Sequence, residues 1–209
     1  MGLFKAGFTE VVGVDIDPQP RYPFNFIQAD AMTFPLEGFD FIWASPPCQN
    51  YSNLTPKHAK GNYPRLIDGI RQRLQESGTH YCIENVRGAH TELVNPMMLC
   101  GSMFDLRTQR HRYFETSFDI SAPRECDHSQ VPLLVTTASK ASRALRAKLG
   151  IPPKSVKNAP AAYGIDWMGF AELKEAIPPA YAEYIGRHFI ETVYRKPQHT
   201  EPQEAGTNP

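Results

Sequence analysis

Three short stretches carry side chains that could do covalent chemistry together. They are "SPPCQNYS" with Cys48, "IENV" with Glu84, and "RHRYF" with Arg110 and Arg112. A thiolate is a strong nucleophile. A carboxyl can protonate or hydrogen-bond a ring nitrogen, and a guanidinium can hold a carbonyl oxygen. Those groups suffice to add a thiol to an electron-poor heteroaromatic ring. A cysteine at a strand end is by itself more often structural than catalytic, so the weight rests on its companions.

Each group is placed by an element legible in the chain. "FDFIWA" (39–44) alternates aromatic and β-branched residues and predicts a buried strand. Two prolines follow, and neither can donate to a ladder. Cys48 is therefore expected on a stiff turn at the C-terminal end of a strand, where ligands collect in open α/β sheets. "THYCIENV" predicts a strand ending at Glu84 and Asn85, which should face the same crevice. Alternation along a strand through "RHRYFETSFDI" puts Arg110 and Arg112 on one face and His111 on the other.

Upstream, "TEVVGVDIDPQ" predicts a strand ending in Asp15 and Asp17, and "FNFIQADAM" one ending at Asp30. "NYPRLIDGIRQRLQESG" predicts a helix with Leu66, Ile67, Ile70 and Leu74 on one face, stopping at Gly78. Strands alternating with helices predict an α/β fold around a largely parallel sheet. In a nucleotide-binding crevice an acid at the end of the second strand binds ribose hydroxyls. Asp15 is the candidate, with Ile16 placed to pack on a base. The bland reading of Asp15 and Asp30 is a loop-end carboxylate capping a turn.

In order and in type, "SPPCQNYS", "IENV" and "RHRYF" resemble the DNA cytosine-5 methyltransferase family. Its hallmarks are a Pro-Cys-Gln loop, a Glu-Asn-Val strand end and an Arg-x-Arg pair. The likeness spans residues 1–115 and, more weakly, "AIPPAYAEYIG". It implies a Rossmann-like methyltransferase sheet, S-adenosyl-L-methionine as methyl donor, and double-stranded DNA as partner, with the target cytosine flipped out of the stack. By resemblance Cys48 adds to C6, Glu84 contacts N3 and the 4-amino group, and Arg112 holds O2 with Arg110 beside it. Gln49 and Ser52 shape the loop and touch the DNA backbone, while Asn85 supports the loop from behind. Asp15, Ile16, Asp30 and Pro47 fall to the methyl donor.

The family's glycine-rich Phe-x-Gly-x-Gly-Gly loop is not in this sequence, which opens on what resembles the helix after it. The resemblance thus implies a sheet lacking its first strand. Thr108 stands where the family has Gln, and Glu175 where it has Asn before the closing prolines. Two alternatives remain. One is an amino-methyltransferase acting on cytosine N4 or adenine N6, whose Ser-Pro-Pro-aromatic loop "SPPC" matches except at Cys48. The other is a catalytically decayed DNA-binding relative.

The bulk properties set the frame. The chain has 209 residues and no net charge, with 22 basic and 22 acidic side chains. Between Arg107 and Lys157, however, ten basic side chains face four acidic ones, a candidate phosphate-binding stretch. No apolar run reaches membrane-spanning length, and "MGLFKAGF" lacks a secretory layout. A cytoplasmic monomer with no membrane partner is expected. The expected organisation is a catalytic domain over 1–116 plus 163–195, a small target-recognition insertion at 117–162, and a disordered tail at 196–209. Cys48, Cys82, Cys100 and Cys126 lack the paired spacing of a zinc site or a disulfide framework. "RECDHS" offers one Cys-x-His, Cys126 and His128, which reads as a polar loop, so no metal is expected.

Overall fold

The computed structural model describes residues 1–53, 55–129, 162–173 and 175–195. Most of the expected insertion at 117–162, and all of the expected tail at 196–209, lie outside the described residues. Among the described residues six strands are formed: β1 (Val12–Asp15), β2 (Asn25–Gln28), β3 (Phe41–Ala44), β4 (His80–Asn85), β5 (Met97–Leu99) and β6 (Arg112–Thr116). The helices are α1 (Gly2–Ala6), α2 (Ile67–Ser77), the short α3 (Phe170–Leu173) and α4 (Pro179–Phe189).

The fold is α/β, but the strands form two separate ladders. β1 and β2 pair in parallel, and a four-stranded sheet runs β3-β4-β6-β5. Within it only β3 and β4 are parallel; β6 is antiparallel to both β4 and β5. That corrects the expectation of a largely parallel sheet. A parallel return needs a crossover, usually a helix, and α2 supplies one between β3 and β4. After β4 and after β5 there are only single 3-10 turns, Arg87–Ala89 and Gly101–Phe104.

The four-stranded sheet is covered on both faces. Tyr81 and Ile83 of β4 pack against Ile67, Ile70 and Leu74 of α2. Cys82 joins Phe41, Leu99 and Phe114 against Tyr181, Ile185 and Phe189 of α4. This is the alternation a twice-buried strand requires. α2 stops at Gly78, whose φ of 68° is the left-handed conformation that glycine adopts without a Cβ penalty. The prolines opening α4 have no N–H to waste at a helix start. α4 crosses α1 closely, since a Cβ on Gly2 would lie 2.3 Å from the Pro179 carbonyl oxygen.

Side chains tie the pieces together. Arg71 of α2 donates to both Glu115 carboxylate oxygens of β6, at 2.8 and 2.9 Å, and the Val94 amide donates to the same carboxylate at 2.8 Å. Glu115 is buried, so removing Arg71 would cost about 3–5 kcal/mol by stranding its charge. Arg73 donates to the carbonyls of Met32 and Phe34, fixing the segment after β2 to α2. Among the described residues no helix is long and apolar enough to cross a membrane.

Candidate active site

The turn carrying Cys48 is braced from three sides. The Cys48 carbonyl accepts from the amides of Tyr51 at 3.0 Å and Ser52 at 2.9 Å, closing the chain after the thiol. Buried Asn85, at the end of β4, donates from Nδ2 to the Pro46 carbonyl at 3.0 Å. Its Oδ1 accepts from the Val86 amide at 2.9 Å. The next turn, Arg87–Ala89, lies directly under the loop: a Cβ on Gly88 would sit 2.0 Å from the Tyr51 carbonyl oxygen. Only glycine allows that approach. Sequence reasoning passed over Gly88, although the adjoining "IENV" could have drawn attention to it.

Glu84 and Arg112 meet through sheet register. Glu84 opposes Phe114 across β4 and β6, so Arg112, two residues earlier on β6, lies diagonally on the same face. Arg112 Nε is 3.0 Å from Glu84 Oε1, and the two side chains are only 14% and 7% exposed. Burial raises the Glu84 pKa from the ordinary carboxylate value, against the opposing pull of Arg112, a Ser45 hydrogen bond and Arg110. Burial also lowers the Arg112 pKa, with help from Arg110 and against Glu84. The half-buried Cys48 thiol is pushed up by burial and then by Glu84, while Arg112 pulls it down. Both charges thus reach the thiol.

Arg110 precedes β6 rather than lying on it, which corrects the expected strand placement. Its guanidinium lies over the Tyr163 ring at 5.3 Å and donates to the Tyr163 hydroxyl at 3.2 Å. Its charge still reaches Glu84. Its carbonyl accepts from the Tyr181 hydroxyl at 2.5 Å, so α4 holds the chain just before Arg112. His111 turns away, toward Cys126 at 3.3 Å.

The remaining expected residues are spread more widely. Pro47 is exposed beside Cys48, and Gln49 and Ser52 are half-buried. Gln49 Oε1 is buried with no hydrogen-bond partner among the described residues. Asp15, Ile16 and Asp30 belong to the separate two-stranded ladder, at or just after its strand ends. Asp15 Oδ1 accepts from the Asp17 amide at 2.9 Å, and Asp30 Oδ1 from the Met32 amide at 2.8 Å. Both close local turns, as loop-end aspartates do. Ile16 between them is 66% exposed.

These three residues suit the adenosine half of S-adenosyl-L-methionine: carboxylates for hydroxyl and amino donors, and an apolar surface for a ring. Among the described residues no glycine-rich turn follows a strand to hold its methionine half. A second group of side chains corrects the reading of "RECDHS" as a plain polar loop: Cys126 and His128 do not stand alone. Cys100, His111, Cys126 and His128 bring their sulfur and ring-nitrogen atoms within 4.8 Å of one another. Three of the four are far apart in sequence, so no spacing rule reveals them.

A scan against protein-family models gives no match to the chain. A search of curated proteins gives none either.

Proposed function

We propose that this chain is a DNA cytosine-5 methyltransferase that works through covalent addition of Cys48 to C6 of a flipped cytosine. The observation that carries the reading is the buried Glu84–Arg112 pair whose charges reach a thiol on a braced Pro-Pro-Cys turn. An amino-methyltransferase would want an aromatic at position 48 to stack on the base, and would leave that pair without a task.

On this reading each residue acts at a stated atom. Arg112 holds the ring O2, drawing electron density toward the carbonyl. Glu84, whose burial favours the protonated carboxyl, donates to N3 and accepts from the 4-amino group. Both make C6 more electrophilic. The Cys48 thiolate then forms the S–C6 bond, and the electron pair displaced from the C5–C6 double bond makes C5 nucleophilic. S-adenosyl-L-methionine, when bound, supplies the methyl group that C5 takes. Loss of the C5 proton to solvent restores the double bond and expels the Cys48 thiolate. The burial and the Glu84 charge that raise the Cys48 pKa favour the thiol over the thiolate, so the flipped base meets a thiol that must ionise as addition begins.

The test is product analysis after incubating the chain with duplex DNA and labelled methyl donor. The reading expects 5-methylcytosine in the digested DNA, absent with Cys48→Ser. Methyl on N4 of cytosine or N6 of adenine would favour the amino-methyltransferase. No label, together with DNA binding that Cys48→Ser leaves intact, would favour the decayed relative.

A further inference from the structure

We infer that Cys100, His111, Cys126 and His128 form a tetrahedral divalent-metal site, with zinc the best-matched ion. The site is independent of the methyltransferase reading. The four ligand atoms lie within 4.8 Å of one another. His128 Nε2 is 3.3 Å from Cys100 Sγ and 3.0 Å from Cys126 Sγ, and His111 Nε2 is 3.3 Å from Cys126 Sγ. With Zn–S near 2.3 Å and Zn–N near 2.05 Å, a tetrahedral centre puts N and S roughly 3.6 Å apart. These three pairs would each open by about 0.3–0.6 Å to seat an ion.

Hydrogen bonding could join these atoms only by sharing one imidazole proton between two sulfurs. His128 Nε2 approaches both Cys100 Sγ and Cys126 Sγ. Cys126 Sγ, meeting two ring nitrogens, would have to accept from one and donate to the other. A single cation satisfies all four at once. The Ser102 hydroxyl is placed 3.3 Å from Cys100 Sγ and 3.7 Å from Cys126 Sγ, an outer contact of the kind that supports metal-bound thiolates. Two thiolates and two imidazoles are the donor set of structural zinc, and they leave no open position for chemistry.

The site would join three segments. The β5–β6 ladder pairs Leu99 with Arg112, and one step further along that register sets Cys100 opposite His111. Cys126 and His128 come from the chain beyond β6 and bring that segment back onto the sheet end. Arg124 strengthens the same closure by donating to the Ser102 carbonyl at 2.9 Å and to Asp105 at 2.5 Å. Because His111 is a ligand and Arg112 is the next residue, the metal would anchor the chain where it enters the candidate active site.

The experiment measures metal in the full chain, purified under reducing conditions and passed through gel filtration, by inductively coupled plasma mass spectrometry. The expected result is one zinc per chain, falling to none in Cys126→Ser and in His128→Asn, while Cys48→Ser retains it. Replacement by cobalt should give the visible bands of a tetrahedral ion and a thiolate-to-metal band that weakens in Cys126→Ser. In the wild-type chain a thiol reagent should reach Cys126 faster once a chelator is added, a readout that needs no variant. A folded wild-type chain that holds no zinc or cobalt, whether its thiols are free or joined as a Cys100–Cys126 disulfide, would overturn the inference. So would unchanged metal content in both ligand variants.

Discussion

Two thiol environments sit side by side in this protein, and a single peptide bond separates them. Arg112 turns to Glu84, and its charge reaches Cys48, while His111, the residue before it, joins Cys100, Cys126 and His128. On one side a lone thiol faces one carboxyl and one guanidinium. On the other, two thiols face two imidazoles. The difference lies in what the neighbours leave open. The first group sets a half-buried nucleophile beside a buried ion pair, whereas the second draws four candidate ligand atoms together. At the entry to β6 consecutive side chains thus serve different groups.

The comparison breaks most sharply at Cys48. On the proposed reading Cys48→Ser lowers methyl transfer by at least about 10³-fold, as loss of a covalent nucleophile does. Metal content and thermal midpoint should stay at wild-type values. A transfer assay and a metal measurement on one preparation check both halves.

Next comes Glu84→Gln, expected to lower transfer by about 10²-fold through loss of an acid acting on the base. It also removes a negative charge that raises the Cys48 pKa, so the pH midpoint for alkylation of Cys48 should fall. Arg112→Met removes the opposing charge and should raise it. Peptide mapping of iodoacetamide labelling across a pH series gives the order Glu84→Gln, wild type, Arg112→Met. Stability follows with a definite sign. A carboxyl whose folded pKa is raised contributes most below its ordinary value, and that contribution is lost as pH rises through the folded value. Glu84→Gln should therefore flatten the pH dependence of the melting temperature above the ordinary carboxylate range.

On the metal side, a chelator should lower the wild-type melting temperature by more than about 5 °C, given roughly 2–4 °C per kcal/mol for a chain of this size. Cys126→Ser should melt lower from the start and ignore the chelator. The smallest effect concerns the loop support. Gly88→Ala forces a Cβ against the Tyr51 carbonyl and should destabilise by about 1–3 kcal/mol. Gly61→Ala, with nothing within 4 Å, should cost little, and paired melting curves separate the two.

What was legible in the sequence follows the range of each signal. Periodicity is local, so the α2 face, the strand ending at Glu84 and the turn at Cys48 could be read directly. Asn85 beneath the loop was named from resemblance, and the bond to Pro46 gives that placement a geometry. Strand direction was misjudged beyond β4 because it depends on the connection, and "VRGAHTELVN" shows no helical stripe to mark its absence as decisive. Arg110 was set on the strand because alternation was extended one turn too far; its ring contact with Tyr163 bridges 53 positions in the chain. Of the Cys/His cluster only Cys126 and His128 stood out, read as a polar loop; their link to Cys100 and His111, like the Arg71–Glu115 pair, was invisible for the same reason. Their members are ordinary residues until the sheet brings them together.

The most direct test separates the thiol from the methyl donor altogether. Duplex DNA labelled with tritium at cytosine C5 is incubated with the chain in water, without S-adenosyl-L-methionine. Reversible addition of Cys48 to C6 lets C5 take a proton and give up its label. The proposed mechanism predicts tritium release into solvent that Cys48→Ser abolishes and Glu84→Gln slows. DNA that is bound by the chain yet keeps its label, or loses it equally with Cys48→Ser, would contradict it.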